Sequence, residues 1–192
     1  MKKIISVILS LCVVLTTTAV AASAQDKYDM SFAIASDLHY SAPEEELEKT
    51  NDDPLYWHAI RRCEMENETG LIIDEFLNQC AESDDVDYVL ISGDIANRGR
   101  TRPEDHLVVA QKLRDFEKKS GKQVYVINGN HDASEDQATT FARFKEIYAE
   151  FGYDHALTTR VDDCSYTADL GEKYRLIALD TNHKTKSTED GM

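Results

Sequence analysis

The sequence of 192 residues has few cysteines and no closely spaced cysteine pair. Cys12 falls in an N-terminal segment that we expect to be removed, which leaves Cys63, Cys80 and Cys164 as an odd set. A disulfide framework or a zinc ribbon needs paired cysteines at short spacing, so the odd set argues against both. A Cys63–Cys80 bridge would require the chain to fold back near Gly70. Cys80 falls on an apolar helical face, and we interpret it as a small core residue.

An excess of positive charge is also missing. The chain has 21 Lys and Arg against 36 Asp and Glu, and its formal net charge is −15. Such a chain repels nucleic-acid backbones and anionic membrane surfaces, so neither is an expected partner. The same charge suits an exported protein and a metal site built from carboxylates.

A hydrophobic run long enough to span a bilayer is absent as well. The only long apolar stretch, residues 4–15, is shorter than the roughly 20 residues that a span requires. Lys2 and Lys3 precede it and Ala22-Ser23-Ala24 follows, which is the pattern of a cleaved secretory signal peptide. We therefore expect a signal peptide over residues 1–24 and an exported, extracytoplasmic domain over residues 25–192. An amphipathic core helix is the alternative for this segment.

Internal repeats, low-complexity tracts and linkers are absent too, so we expect one domain. Residues 32–35, 88–91 and 124–127 are short apolar runs, and helical periodicity separates them. Alternating strands and helices predict an α/β fold with a mostly parallel sheet and helices on its faces. Because the runs are unbroken, we expect both faces of the sheet to be covered.

Local signals place the helices and one hairpin. Thr101 and Glu104 have capping-box spacing, with Pro103 in the first turn of a helix. Its predicted buried face is Leu107, Ala110, Leu113 and Phe116. Ser134 and Gln137 have the same capping-box spacing before an aromatic helix over residues 141–151. Late in the chain, residues 165–168 and 174–179 flank Gly171, which predicts a β-hairpin.

Each of the three predicted parallel strands ends in residues that can bind a metal ion. Asp37 and His39 follow the first strand, Asp94 follows the second, and Asn130 and His131 follow the third. Ligands of open α/β sheets bind beyond the carboxyl ends of the strands, so these side chains should converge at one edge. Carboxylate, amide and imidazole groups suit Mn, Mg, Fe or Zn. Alone, each motif could be an ordinary cap or turn; their order at three strand ends favours a site.

The same residues resemble the sequence blocks of a known family. Asp37-Leu38-His39, the block over residues 93–99 (Gly-Asp-Ile-Ala-Asn-Arg-Gly) and Gly129-Asn130-His131-Asp132 resemble the D-x-H, G-D-x-x-[DN]-x-G and G-N-H-[DE] blocks of calcineurin-like metallophosphoesterases. The resemblance covers about residues 31–182. It implies a β-sheet sandwich flanked by helices, and hydrolysis of phosphate esters by a metal-activated hydroxide at two divalent ions.

The resemblance also implies a role for each matching residue. Asp37 and His39 would bind the first metal, Asp94 would bridge both metals, and Asn130 would bind the second. His131 would contact the phosphate and protonate the leaving group. Asp132 would pair with His131 and orient it. Arg98 would contact phosphate, or it is a surface arginine.

Purple acid phosphatases of this family have a tyrosine after the Gly-Asp pair, whereas this sequence has Ile95-Ala96, so that subgroup is not expected. The signal pattern argues against the protein phosphatases of the family. The chain is most similar to small exported bacterial phosphoesterases acting on phosphomonoesters or phosphodiesters, such as nucleotides. The loop over residues 40–57 is long enough to cap the site and set the substrate.

The family pattern also requires a further histidine and a G-H-x-H block, which this sequence lacks. After Asp132 only His155 and His183 remain, and we interpret them as structural and loop residues. We therefore expect the first half of the fold, incomplete at its C-terminus. The alternative function is a non-catalytic fragment or binding protein with an incomplete metal site.

Overall fold

The computed structural model describes residues 29–42 and 68–182. The predicted signal peptide, most of the loop over residues 40–57, Cys63 and His183 lie outside the described residues. The unit that begins at Phe32 carries the fold. Within the described ranges, no helix combines the length and the apolar character that a membrane crossing requires.

Three parallel strands form the first sheet: β1 (Phe32–Ala35), β2 (Tyr88–Ser92) and β3 (Gln123–Ile127). The strand order is β1-β2-β3, and Ala35 pairs with Ile91, which pairs with Val126. The predicted adjacent and parallel strands are confirmed. Because the strands run in the same direction, the turns that follow them all lie at one edge of the sheet.

Helices cover one face of this sheet. The helices are α1 (Thr69–Glu82), α2 (Pro103–Ser120) and α3 (Phe141–Ile147), and α2 packs against both α1 and β3. On the buried face of β2 and β3, no side chain of Val89, Ile91, Val124 or Val126 is more than 2% exposed. This agrees with the prediction of helices packed on a parallel sheet.

The opposite face of the sheet is only partly covered. Phe32 and Ile34 on the edge strand β1 are 42% and 65% exposed. The unbroken apolar run of β1 predicted two covered faces, and for this strand the prediction is wrong. An edge strand has one neighbouring strand instead of two, so burial of its side chains depends on the layer packed against the sheet. On this face of β1, that layer leaves Phe32 and Ile34 largely exposed.

The start of α2 differs from the predicted capping box. Pro103 is the first helical residue, as the sequence indicated, but Arg102 is the N-cap and makes no side-chain capping bond. Thr101 instead donates its hydroxyl to the Arg98 carbonyl at 3.2 Å. The proposed Thr101–Glu104 box was wrong because Thr101 belongs to the preceding turn.

The second predicted capping box lies six residues too early. The N-cap of α3 is Thr140, whose hydroxyl accepts a hydrogen bond from the Arg143 amide at 3.1 Å. The Ser134 and Gln137 pair instead closes a turn, with the Gln137 amide donating to the Ser134 carbonyl at 3.1 Å. Ser and Gln at this spacing favour tight turns as well as helix caps, so the pattern was ambiguous.

The predicted buried face of α2 is confirmed at Ala110, Leu113 and Phe116 but is wrong at Leu107. Leu107 is 45% exposed, whereas the neighbouring His106 is fully buried. Buried positions of this helix are Asp105, His106, Val109, Ala110, Leu113 and Phe116. A polar residue thus lies on the buried face near the start of α2, where the sequence had indicated Leu107.

A second, antiparallel sheet follows the helices: β4 (Thr158–Thr159), β5 (Tyr166–Leu170) and β6 (Tyr174–Ala178). The predicted hairpin is confirmed, and Gly171 in its turn has a φ of 62°. Tyr166 of β5 donates its hydroxyl to the Val126 carbonyl at 2.9 Å and so joins the two sheets. Between α3 and β4 the aromatic segment continues as a π-helical turn over Ala149–Tyr153 rather than as one long helix.

Candidate metal centre

The turns after β1 and β2 continue the pairing of the strands that they follow. The Asp37 amide donates to the Gly93 carbonyl at 3.1 Å, and the His39 amide donates to the Asp94 carbonyl at 2.9 Å. Asp37, His39 and Asp94 have left-handed backbone conformations, with φ of 56°, 45° and 48°. Such conformations outside glycine carry strain of about 1–3 kcal/mol each and concentrate at functional sites.

Three side chains from these turns converge at the predicted edge. One ligand atom each of Asp37, His39 and Asp94 lies within 4.8 Å of the other two. His39 Nε2 is 3.7 Å from Asp37 Oδ1 and 3.8 Å from Asp94 Oδ2. These separations are too long for hydrogen bonds. They match two ligands on one cation, since atoms about 2.1 Å from a metal lie about 3–4 Å apart.

The charges of this cluster also fit a cation. Two carboxylates face one imidazole, and without a positive partner the carboxylates of Asp37 and Asp94 would repel each other. Exposure of the side chains falls from 64% at Asp37 to 29% at His39 and 14% at Asp94. The donor set is therefore open to solvent on the Asp37 side, where water and a substrate could enter.

Asn130 lies in the turn after β3 and lines the same cleft as Asp37 and Asp94. The cleft is shallow, with a volume of about 250 Å³. Thr181 and Asn182, which follow β6, line it as well, and Asn182 donates its side-chain amide to the Asn128 carbonyl at 3.1 Å. The sequence reasoning missed these two residues, although their position after a strand was a usable signal.

Two glycines allow the turns of the site to approach each other. A Cβ on Gly129 would lie 2.2 Å from both the amide nitrogen and Oδ1 of Asp94. A Cβ on Gly93, whose φ is 97°, would lie 2.7 Å from the Gly129 nitrogen. Both glycines belong to the motif blocks that the sequence analysis identified. Here the crowding that they avoid is between the second and third turns.

His131 contacts the cluster through both its backbone and its ring. Its amide donates to Asp94 Oδ1 at 2.8 Å, while its ring stands edge-on to the His39 ring with centroids 4.8 Å apart. Its Nδ1 lies 2.7 Å from the Asn97 carbonyl oxygen. Because a carbonyl oxygen only accepts, Nδ1 carries the proton in the neutral ring. Nε2 is then the ring atom that can exchange a proton with a bound molecule.

Asp132 has a different partner from the one that the resemblance implied. Its Oδ1 accepts from the amides of Ile95 and Ala96 at 2.8 and 3.0 Å, and its Oδ2 accepts from the Gly129 amide at 2.7 Å. The carboxylate thus ties the second turn to the third, whereas the Asn97 carbonyl holds the His131 ring. The predicted Asp132–His131 pair is corrected, because three turn amides unpaired by the strands compete for this carboxylate.

The Asp132 side chain is fully buried, and burial raises its pKa to about 6. Its hydrogen bonds from Ala96, Gly129 and Ile95 act in the opposite direction and favour the charged form. Removal from water thus outweighs three amide bonds at this residue. Asp132 therefore connects the second and third turns of the site from a fully buried position.

Two other residues from the sequence analysis, Arg98 and His155, do not line the cleft. Burial raises the pKa of Asp105 at the start of α2, and the positive charges of Arg102 and Arg98 partly oppose that rise. His155 is exposed and lies near Glu117, whose pKa is raised by burial and whose carboxylate accepts from the Val124 amide near the start of β3. That end of β3 is opposite to the metal cluster, which agrees with the structural interpretation of His155.

The fold and the cluster together define an α/β protein of two sheets and flanking helices with a candidate metal centre at the carboxyl edge of its parallel sheet. The sequence model of the calcineurin-like phosphoesterase family matches residues 30–189. The chain therefore belongs to the calcineurin-like phosphoesterase family, as its three motif blocks indicated. A comparison with curated proteins gave no match.

Proposed function

We propose that this chain hydrolyses phosphate esters, either monoesters or diesters, with the help of two divalent cations. The observation that carries the proposal is the convergence of Asp37, His39 and Asp94 within 4.8 Å at the carboxyl edge of the parallel sheet. Membership of the calcineurin-like phosphoesterase family supports the reaction class.

The donor atoms support one assignment of ligands. Asp37 and His39 would hold the first cation, Asn130 the second, and Asp94 both. Asp94 suits the shared position because its Oδ2 faces His39 while the His131 amide fixes its Oδ1. Mn, Fe, Zn or Mg bound there would polarise the phosphoryl oxygens and lower the pKa of a coordinated water towards about 7.

His131 is the residue that we assign to proton transfer. The Asn97 carbonyl fixes its ring orientation through Nδ1, so in the doubly protonated ring Nε2 can give its proton to the departing oxygen of the ester. In this assignment Asp132 has no contact with substrate. It instead fixes the amides around Asp94, and so positions the shared ligand.

The substrate is expected to be small and anionic, such as a nucleotide. The cleft is shallow and lined by carboxylates, so an anionic ester would be repelled until cations neutralise it. Arg98 remains a proposed phosphate contact for esters that extend beyond the cleft. The signal pattern at the N-terminus supports a role outside the cytoplasm.

The test is hydrolysis of 4-nitrophenyl phosphate and bis(4-nitrophenyl) phosphate by the purified chain with Mn²⁺. We expect turnover that a chelator abolishes and that Asp94→Asn reduces together with bound metal. Asp169→Asn is the matched control, because Asp169 is exposed in the hairpin and its carboxylate pairs with the exposed Arg175. Turnover that survives the chelator, or equal loss in the control, would contradict the proposal.

A second function is favoured by the ligand count. In the part of the chain that the structure describes, one group of three metal-capable side chains is present, and it supplies the first cation better than the second. A single-cation binding protein would bind one Mn²⁺ per chain and show no hydrolysis of either ester. Metal stoichiometry measured beside turnover separates the two functions.

A further inference from the structure

We propose that His106 is a positioning residue of the metal centre: it fixes the turn over residues 129–132 and thereby the predicted ligand Asn130 and the His131 amide. This inference rests on the proposed function, since it concerns the affinity of the same site for metal. His106 is fully buried in α2, outside the three motif blocks.

The contacts of His106 define which nitrogen carries the proton. Nε2 lies 3.0 Å from the Asp132 carbonyl oxygen, and Nδ1 lies 3.0 Å from the Tyr148 hydroxyl. The carbonyl can only accept, so Nε2 is the donor and Nδ1 accepts from Tyr148. Burial lowers the pKa of His106 to about 4, so the ring is neutral near pH 7 and keeps this pattern.

The carbonyl that His106 holds belongs to the residue that joins two turns of the site. Through its carboxylate, Asp132 fixes the amides of Ile95, Ala96 and Gly129. Through its carbonyl, it is fixed by His106. A shift of the Asp132 backbone would displace the same turn, which includes the His131 amide two peptide units earlier; that amide orients Asp94 Oδ1 at 2.8 Å. His106 therefore restrains a shared metal ligand through one intervening turn.

The ring also packs directly against the second motif block. A Cβ on Gly99 would lie 2.2 Å from His106 Nε2, so only the glycine backbone fits beside the ring. The Gly99 carbonyl accepts from the Thr139 hydroxyl at 2.6 Å. With Gly99 on one side and Tyr148 on the other, the imidazole has little freedom to move. This rigidity is what a positioning residue requires.

Three variants of the full chain test the assignment. His106→Leu removes the hydrogen bond to Asp132, while His106→Gln keeps a side-chain N–H that can reach the same carbonyl. Phe144→Leu is the matched control. Phe144 is fully buried and its ring contacts the His106 ring edge-on at 5.5 Å, so the substitution disturbs the same core without removing that bond.

The two measurements are the Mn²⁺ dissociation constant by titration calorimetry and amide hydrogen exchange of the metal-free protein. We expect His106→Leu to raise the dissociation constant about tenfold, as the loss of a supporting hydrogen bond does at other metal sites. We also expect faster exchange at the amides of Gly129 and His131. His106→Gln should restore most of both properties, and Phe144→Leu should lower stability but change neither.

Equal effects of His106→Leu and Phe144→Leu would overturn the inference, because the role would then be structural only. Unchanged metal affinity and exchange in His106→Leu would overturn it as well. A wild-type chain that binds no Mn²⁺ would overturn the proposed function instead, and the exchange measurement would then decide the role of His106 alone.

Discussion

The buried His106 ring predicts a specific dependence of stability on pH. Burial lowers its pKa from 6.5 to about 4, so between these values the unfolded chain binds a proton that the folded chain does not. The free energy of unfolding should therefore fall as the pH falls through this window. Above about pH 6.5 the ring is neutral in both states and contributes no such dependence.

The magnitude follows from the pKa difference. Integrated over the whole window, a difference of about 2.5 units corresponds to about 3 kcal/mol. Between pH 7.5 and 5.5 the expected loss is about 1 kcal/mol, because the folded ring stays neutral while the unfolded one becomes protonated. This narrower range keeps the protein away from its isoelectric point near 4.7, where association would interfere.

Because other titratable groups lie near His106, its contribution has to be measured as a difference between two proteins. Asp105, Asp132 and Tyr148 face the ring, and the pKa of Asp132 is raised to about 6. Protonation of Asp132 therefore stabilises the folded state as the pH falls, opposite in sign to the His106 contribution. The wild-type curve contains both effects, whereas its difference from a His106→Gln curve isolates the imidazole.

The assay is urea unfolding of the metal-free chain, followed by far-UV circular dichroism, for the wild type and His106→Gln. Between pH 7.5 and 5.5 the wild type should lose about 1 kcal/mol more than the variant. Parallel curves for the two proteins would show that His106 does not titrate as its burial requires. A wild type that gains stability relative to the variant would reverse the sign of the argument.

Two substitutions give further tests. Gly129→Ala should weaken Mn²⁺ binding at least tenfold in calorimetry, because the new Cβ would lie 2.2 Å from Asp94. The control Gly121→Ala should leave the affinity unchanged, since Gly121 also has a positive φ, of 72°, but its Cβ would meet no atom within 4 Å. Lys122→Met should lower the free energy of unfolding, measured with urea, by about 1–3 kcal/mol, because Lys122 Nζ donates hydrogen bonds to carbonyls at the end of α1. The surface control Lys119→Met should change it by under about 0.5 kcal/mol. Equal effects within either pair would contradict the reasoning.

Much of the fold was predictable because it follows from local periodicity. The strand ending at Ala35, the Gly171 hairpin and the start of α2 at Pro103 each have a signal within a few residues. The capping-box predictions failed because the same short patterns also occur in tight turns. Ser134 satisfies a turn as readily as a helix, and only the packing of the following chain decides between them.

The sequence by itself determined where the candidate metal centre lies. Parallel strands bring their carboxyl ends to one edge, so residues such as Asp37 and Asp94, which follow such strands, must meet there in any fold of this class. The glycines at positions 93 and 129 are part of the motif blocks, and the structure shows that the turns there leave no room for a Cβ.

Only the tertiary structure decided how that centre is held. The sequence could not show that Asp132 accepts from amides 36 and 37 residues earlier, or that His106 binds the Asp132 carbonyl 26 residues later. These partners are set by which turn amides the strands leave unpaired and by which side of α2 packs inward. Both depend on contacts between distant segments, and no short pattern of residues encodes them.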